Sequence, residues 1–466
     1  MTMDVAIIGA GPAGLSLAIG LAKSGAKVAI IDEQPSPGGQ VYRAAERNAD
    51  ATDLLGWLGP DYAKGAALVA EARQTDGITW RMASSVWDIR PEEDGCELGL
   101  LTAGKTSVVR AAHVVLATGA MERPTPFPGW TLPGVMSIGA AQTLFKDSGL
   151  LPEDGVVLAG QGPLLYLFAA QLLAAGIKPQ AVLDFAPKWA APSNLPLLAR
   201  ATLGAAPQIA KGLRLRAEIK RAGIAHHYRV ERIEAHGADA LDRVTFRHKG
   251  GERHIETSLL LVHDGVISNT HASMAAGCAH DWDGEQAAWV PRLDDHGRTS
   301  RDRIWVLGDG ARILGADAAV LQGRIMARSI ARDLDPTTPQ DAGRDQSDRK
   351  ALQRLATLRQ FLDRQYPPVP AFSQPPDETT ICRCEAVLAG DIRALVRSGC
   401  MGPNQLRAFC RAGMGPCMGR QCGNAITRIM AKEAGREVSQ IGHFTIRTPL
   451  KPVSLAELAN LEDADP

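Results

Sequence analysis

Aromatic residues are scarce, at 5% of the 466-residue chain, and neither sign of charge is in surplus: 51 Lys and Arg stand against 51 Asp and Glu. A surface without a basic excess gives no electrostatic footprint for nucleic acid or an anionic membrane, so no nucleic-acid partner is expected. No apolar stretch reaches the roughly 18 charge-free residues of a membrane span. No basic segment followed by a cleavable apolar run opens the chain, and a cytoplasmic location is the expectation. Cysteine is almost missing from the first 380 residues, where Cys96 and Cys278 stand alone and read as small buried hydrophobes. No C-x-x-C or C-x-x-x-x-C occurs before residue 330, which excludes a redox-active dithiol of that kind there.

What is present is glycine, at 47 residues, in a chain that is 45% apolar and too long for a single core. The organising stretch is Asp4-Val-Ala-Ile-Ile-Gly9-Ala-Gly11-Pro12-Ala13-Gly14, an apolar strand running into Gly-x-Gly-x-x-Gly and then a helix over Leu15 to Lys23. The first two glycines allow a tight turn and bring backbone N–H groups up to a pyrophosphate; the third lets helix and strand pack closely. The helix N-terminus adds unpaired donors and partial positive charge. A second strand, Ala26 to Ile31, ends at Asp32-Glu33, where a carboxylate suits the ribose hydroxyls of an adenine dinucleotide. The Pro- and Gly-rich loop that follows, with Gly39, Gln40 and Arg43, reads as a wall of the same cavity. Residues 44 to 75 read as loosely helical, and Ile78 to Ile89 and Cys96 to Ala103 as strands of a small meander.

A buried strand from His113 ends at Thr118-Gly119 and leads into a crossover fixed by Pro124, Pro126 and Pro128. A second unit then repeats the opening, with a strand and glycine turn at Gly160 and Gly162, a helix over Tyr166 to Ala175, and a strand from Ala181 ending at Asp184. Leu165 replaces the third glycine and should push helix and strand apart, so this unit is open to a pyridine nucleotide, another nucleotide or none. Residues 188 to 223 read as helical with a solvated basic face, and His226, His227, His263 and His271, which show no metal spacing, read as structural. A late strand from Arg303 ends at Gly308-Asp309-Gly310. Returned to the first sheet, it would place Asp309 at the sugar-alcohol chain of a flavin, with the next helix, carrying Gln322, aiming its N-terminus at the ring or pyrophosphate. The first domain is therefore expected to be discontinuous, 1–125 and 285–335, around a second nucleotide-like domain, 126–284. A helix and Pro-rich linker, 336–378, leads to a C-terminal module and its tail, together 379–466.

Six of the eight cysteines crowd into that module. Cys382-Arg-Cys384 is followed 33 positions later by Cys417, and Cys417-Met-Gly-Arg-Gln-Cys422 closes the set. Four thiolates can hold two irons. Zinc would accept the same sulfurs, but one intervening residue is unusual for a zinc knuckle, and a flavin neighbour favours the iron–sulfur cluster. Cys400 and Cys410 fit neither pair, and Gly413, Gly415, Gly419 and Gly423 would let backbone amides approach the sulfurs.

The first 330 residues resemble the two-dinucleotide-domain flavoproteins that include thioredoxin and glutathione reductases. The segments Asp32 to Arg43, Thr118 to Pro124 with Gly129-Trp130, and Gly308 to Gly310 more narrowly resemble the large subunit of heteromeric amine dehydrogenases. That family comprises the A-type chain of opine (octopine or nopaline) oxidase, the alpha chains of hydroxyproline and proline dehydrogenases, and the B-type chain of hydrogen cyanide synthase. Residues 381 to 423 resemble the [2Fe-2S] domain of bacterioferritin-associated ferredoxins. The resemblance implies an α/β fold of two Rossmann-like domains plus a small, mostly helical [2Fe-2S] domain. It also implies FAD held by Gly9, Gly11, Gly14, Asp32 or Glu33, Arg43, Thr118, Gly119 and Asp309, and a cluster held by Cys382, Cys384, Cys417 and Cys422. The second domain carries ATP in some members where relatives bind NAD(P)H, and an FMN lies at the partner interface in some. The implied partners are a D-amino-acid-oxidase-like flavoprotein that oxidises the substrate C–N bond, a small [2Fe-2S] subunit in some complexes, and an electron acceptor through which any membrane association would come. No residue here reads as a catalytic acid, base or nucleophile. The competing enzyme readings are a self-contained NAD(P)H-dependent reductase and a hydrogen cyanide synthase subunit.

Overall fold

A computed structural model describes residues 3–339 and 341–463; residues 1, 2, 340 and 464–466, at the ends of the expected first and last domains and within the linker, lie outside the described residues. The first sheet is built on β1 (Met3–Ile8), which leads through the glycine turn into α1 (Pro12–Lys23) and then β2 (Val28–Ile31). All four residues of β2 and the last four of β1 are buried, as continuous apolar runs in a covered parallel sheet must be. β1 pairs in parallel with β2 and with the end of the long strand Lys105–Leu116, on whose far side Ile304–Val306 adds another parallel strand. The late strand thus lies in the same sheet as the early ones.

The first half of Lys105–Leu116 instead pairs antiparallel with Gly95–Thr102, which in turn pairs with Ser84–Glu92. Ile78–Arg81 lies outside this meander, as the parallel edge strand next to β2. The expected continuous strand breaks at the Met82-Ala83 turn, where Ala83 has φ of 52°.

The second sheet has five parallel strands, in the order Ala225–Tyr228, Ala181–Asp184, Val157–Gln161, Leu260–Asp264, Val135–Ser137. Leu165 is fully buried in this unit's core, among Leu158, Leu172 and Val182. The helix Leu195–Arg221 kinks at Ala205, two residues before Pro207, whose missing N–H breaks the ladder. Two short strands, Ala120–Glu122 and Val266–Ser268, pair antiparallel where the chain passes between the units in each direction. The C-terminal module is mostly helical: a hairpin of Thr380–Cys382 and Val387–Leu388 precedes helices Ala389–Arg397, Pro403–Cys410 and Gly423–Ala434. Among the described residues no helix is long and apolar enough to cross a membrane.

Candidate functional site

A cavity of about 1270 Å³ opens where the first sheet ends, lined by Gly9, Gly11, Pro12, Ala13, Asp32, Glu33, Gly39, Gln40, Arg43, Thr118, Gly119, Gly308 and Asp309. Its floor is the glycine turn. Gly9 has φ of 115°, and a Cβ there would lie 2.3 Å from the Ala117 carbonyl oxygen; a Cβ on Gly14 would lie 2.0 Å from the Gly9 oxygen. Gly14 is thus a packing glycine beneath the cavity. α1 starts with proline at its first position and no side-chain cap, so its first amides remain free for a ligand. The helix Ala316–Leu334, after Gly315, likewise has no side-chain cap, and its early residues Ala316, Asp317 and Ala319 line the cavity.

The two acids at the end of β2 divide their work. Asp32 accepts the Ala10 amide at 2.6 Å and the Gln34 amide at 2.8 Å, one on each carboxylate oxygen. Burial pushes its carboxyl up, against the pull of those amides. Asp32 therefore staples the glycine turn to the strand end and leaves Glu33 as the acid whose carboxylate is not spent on that turn. Arg43 donates to the Gln34 and Gln40 side-chain oxygens, and Thr118 Oγ1 donates to the Asn269 carbonyl at 2.9 Å. Asp309 Oδ1 accepts the amides of Leu314 and Gly315 at 2.8 and 2.9 Å, which fixes the approach to the second helix. Gln322 does not line the cavity. It sits beyond the first turn of its helix, and its buried amide oxygen has no partner. The residues present fit an adenine dinucleotide: two bare helix N-termini, an acid and a volume above that of ordinary ligand pockets.

The cavity also receives residues that sequence reading did not assign to it. Glu122 lines it, accepting the Gly139 amide at 2.9 Å and pairing with buried His263 Nδ1 at 2.7 Å. His271 lines it as well, held to the Met418 carbonyl at 3.1 Å and pushed down to about 4 by burial. Lys146, buried and without a carboxylate partner among the described residues, bonds the Gln40 carbonyl at 3.1 Å and Gln142 Oε1 at 3.0 Å, and burial lowers it to about 7. None of these belongs to a motif of fixed spacing.

The second glycine turn is filled by the protein itself. Asp184 is fully buried and engaged by Tyr166 Oη at 2.5 Å, His226 Nε2 at 3.2 Å and the Ala186 amide at 2.9 Å. The Pro-rich connector crosses the carboxyl ends of the strands, which is the ligand position of such a sheet. Tyr366 bonds Tyr166 beside Asp184, the Pro367 carbonyl accepts from Gln161 within the turn, and the Val369 amide donates to Asp264 at 3.1 Å. Gly160 packs against the His263 backbone, and Gly162 faces the His263 ring. Neither glycine nor Asp184 lines the large cavity.

The four paired cysteines converge crosswise. Cys382 bonds the Cys422 thiol, and Cys384 Sγ lies 3.8 Å from Cys417 Sγ, so each couple joins one member of each sequence pair. The Cys382 thiol is lowered to about 5, by the Cys422 thiol first and by the amides of Gly413, Glu385 and Cys384, while Cys422 is driven up. Among the described residues no group of three or more His, Cys, Asp or Glu is gathered closely enough for a single metal ion. Two thiol couples side by side could hold two irons with two sulfurs each. Cys400 and Cys410 instead donate to the Gly402 and Leu406 carbonyls. Of the four glycines, Gly413 lends an amide to sulfur and Gly415 makes room for Cys384, where a Cβ would meet the Cys384 Cβ at 2.2 Å. Gly419 and Gly423 lie against the Phe444 ring, so their small size serves ring packing. The loop between Cys417 and Cys422 sends Arg420 and Gln421 into the wall of the large cavity.

Fold and site together define a flavoprotein of the two-dinucleotide-domain class. Residues 3–332 match the family described as pyridine nucleotide-disulphide oxidoreductase, and residues 379–461 match the sarcosine oxidase A3 domain. The chain is 42% identical to the A-type chain of opine oxidase from Agrobacterium tumefaciens (strain Ach5), over 98% of this chain and 92% of that protein. It is 33% identical to hydrogen cyanide synthase subunit HcnB of Pseudomonas aeruginosa, over 99% of each. The solved structure of L-proline dehydrogenase from P. horikoshii superposes with a TM-score of 0.70 at 20% identity, over 98% of this chain and 79% of that one, which speaks for the fold. The chain belongs to the family of opine oxidase A-type chains and is a subunit of a heteromeric flavin-dependent oxidoreductase.

Proposed function

We propose that this chain is the electron-transferring subunit of a heteromeric amine dehydrogenase or oxidase of opine, hydroxyproline or proline type, carrying FAD in the large cavity and one [2Fe-2S] cluster on Cys382, Cys384, Cys417 and Cys422. The substrate C–N bond would be oxidised on a D-amino-acid-oxidase-like partner subunit. The observation that carries the reading is the shared wall: the loop between Cys417 and Cys422 lines the cavity whose floor is the Gly9–Gly14 turn. Bound FAD would supply exchange between two-electron and one-electron chemistry, and a cluster would relay single electrons. The chain's own residues do the holding. Free amides of α1 and of the helix Ala316–Leu334 take the diphosphate, Glu33 the adenosine ribose, and Asp309 fixes the second helix start. His271 ties the cluster loop to the cavity through Met418. FMN at the partner interface, a membrane-linked acceptor and a small iron–sulfur subunit complete the complex by family likeness, in a cytoplasmic setting.

A self-contained NAD(P)H reductase would need an open second nucleotide site, and Asp184, Tyr166 and Tyr366 occupy that position. We therefore propose that the second unit holds no pyridine nucleotide or ATP.

The test is co-purification from the native host, partner identification and an amine substrate screen, with flavin, iron and acid-labile sulfide measured on the complex. FAD near one per chain and two irons with sulfide are expected. Exchanging any of the four paired cysteines for Ser should abolish the low-temperature EPR signal after dithionite, while Cys400→Ser and Cys410→Ser should keep it. Stoichiometric zinc without sulfide, or a cluster retained in Cys417→Ser, would sink the assignment.

A further inference from the structure

The chain beyond the cysteine module returns to the first domain. Leu450 is buried in the core shared by the meander and the cysteine module, and its amide donates to the Trp87 carbonyl at 2.7 Å. Further along, the Glu457 carbonyl accepts Thr106 Oγ1 at 2.6 Å, and Glu462–Asp463 pairs in parallel with Ser107 and Val108. Lys451 is thus anchored on both sides. Its ammonium pairs with the Glu33 carboxylate, and Leu450, Lys451 and Glu33 all line the large cavity.

Among the described residues, Lys451 is the cation that orients Glu33. Asp32 spends both carboxylate oxygens on backbone amides. The Glu33 side chain is 46% exposed, and a glutamate that open samples several rotamers unless a partner holds it. An ion pair this exposed adds little to stability, so its consequence is geometric. Arg43, the nearest other cation of the loop, is engaged with Gln34 and Gln40.

We infer that Lys451 and the tail around it are part of the dinucleotide site: the tail roofs the adenosine half, and the Lys451 ammonium holds the Glu33 carboxylate where it meets the ribose diol. The ligand class is an adenosine diphosphate moiety with free 2′ and 3′ hydroxyls. The inference rests on the proposal that the first glycine turn takes FAD, and it makes retention of that cofactor depend on residues more than 400 positions away in sequence. It also joins the cysteine module to the flavin site mechanically, since the tail leaves that module directly.

The experiment is titration of deflavinated full-length protein with FAD, ADP and FMN, followed by flavin fluorescence and by calorimetry for ADP. Lys451→Glu should weaken FAD and ADP by about tenfold or more, the scale of losing a charge-assisted hydrogen bond, and leave FMN binding unchanged. Lys451→Met, which keeps the stem packing, should fall between. In the double variant Glu33→Gln/Lys451→Met the losses should be strongly sub-additive, because the two side chains act as one unit. Far-ultraviolet dichroism and iron content report whether each variant folds. Unchanged FAD affinity in folded Lys451→Glu, or additive losses in the double variant, overturns the inference while the FAD site stands. Failure of the wild type to bind FAD or ADP at all overturns the underlying reading instead.

Discussion

At the scale of single residues, one position decides between a fold role and a ligand role. Asp32 and Glu33 read as equivalent in the sequence, since either could be the acid at a strand end. The structure separates them because successive side chains point apart, one back to the Ala10 amide and one into the cavity. The glycines were legible for the opposite reason: their function is the absence of a Cβ, which needs no partner to be read. His280 shows what spacing cannot reveal. Its ring sits between the Cys278 carbonyl and the Ser273 hydroxyl, each at 2.9 Å, and burial lowers it to about 4 from 6.5. Between those two pH values the unfolded chain binds a proton that the folded one refuses. The stability this neutral ring contributes is therefore complete above pH 6.5 and is lost as pH falls toward 4, at up to about 1.4 kcal/mol per pH unit. Urea melts of wild type and His280→Asn should diverge in slope over that window and run parallel above it; parallel curves throughout would remove the claim.

At the scale of elements, the same strand–turn–helix appears twice with different outcomes. The first copy keeps bare helix amides facing a cavity; the second is covered by a connector from 206 positions further along the chain. Composition identified Tyr366 to Pro376 as a linker, and nothing in its pattern states where it lies. Tyr166, the residue after Leu165, meets Tyr366 over Asp184, so the space for a ribose holds two phenols. In FAD-loaded protein, rapid mixing with NADH or NADPH should leave the flavin oxidised, and calorimetric titration with NADH or ATP should show no saturable heat. Bleaching within seconds would mean that the connector lifts and that the reductase reading returns. The crosswise pairing of the thiols was not legible, because the couples arise from the hairpin at Thr380–Leu388 meeting the start of the helix Gly423–Ala434.

At the scale of the whole molecule, three units that composition separates are fastened around one buried charge. Arg123, on the crossover from the first domain, donates to the carbonyls of Asp264, Ala287 and Gln286 at 3.1, 2.9 and 2.6 Å, with the Asp264 carboxylate 3.7 Å away. Asp264 ends a central strand of the second sheet and accepts from Gln161 and from Val369 of the connector. Arg428, in the cysteine module, donates to Ser373 and is lowered to about 10 by burial and by Arg123. The Trp130 indole reaches the Thr380 carbonyl at 2.7 Å, and Asn424 reaches Ala287 at 3.0 Å, so the module is bolted to both nucleotide-type units. Two buried guanidiniums face one carboxylate, and removing that carboxylate takes from each the largest opposing charge it has. Asp264→Asn should therefore cost about 3–5 kcal/mol, the scale of breaking a buried pair, where a surface acid of the same type would cost under about 0.5. Because contacts with all three units depend on that centre, the wild type should melt in one transition by intrinsic fluorescence and by calorimetry. In Asp264→Asn the connector, residues 366–376, should become the first site of limited proteolysis, releasing the module. A cysteine module that melts separately in the wild type, or an unchanged melting temperature in Asp264→Asn, would show that the units are joined only by the chain.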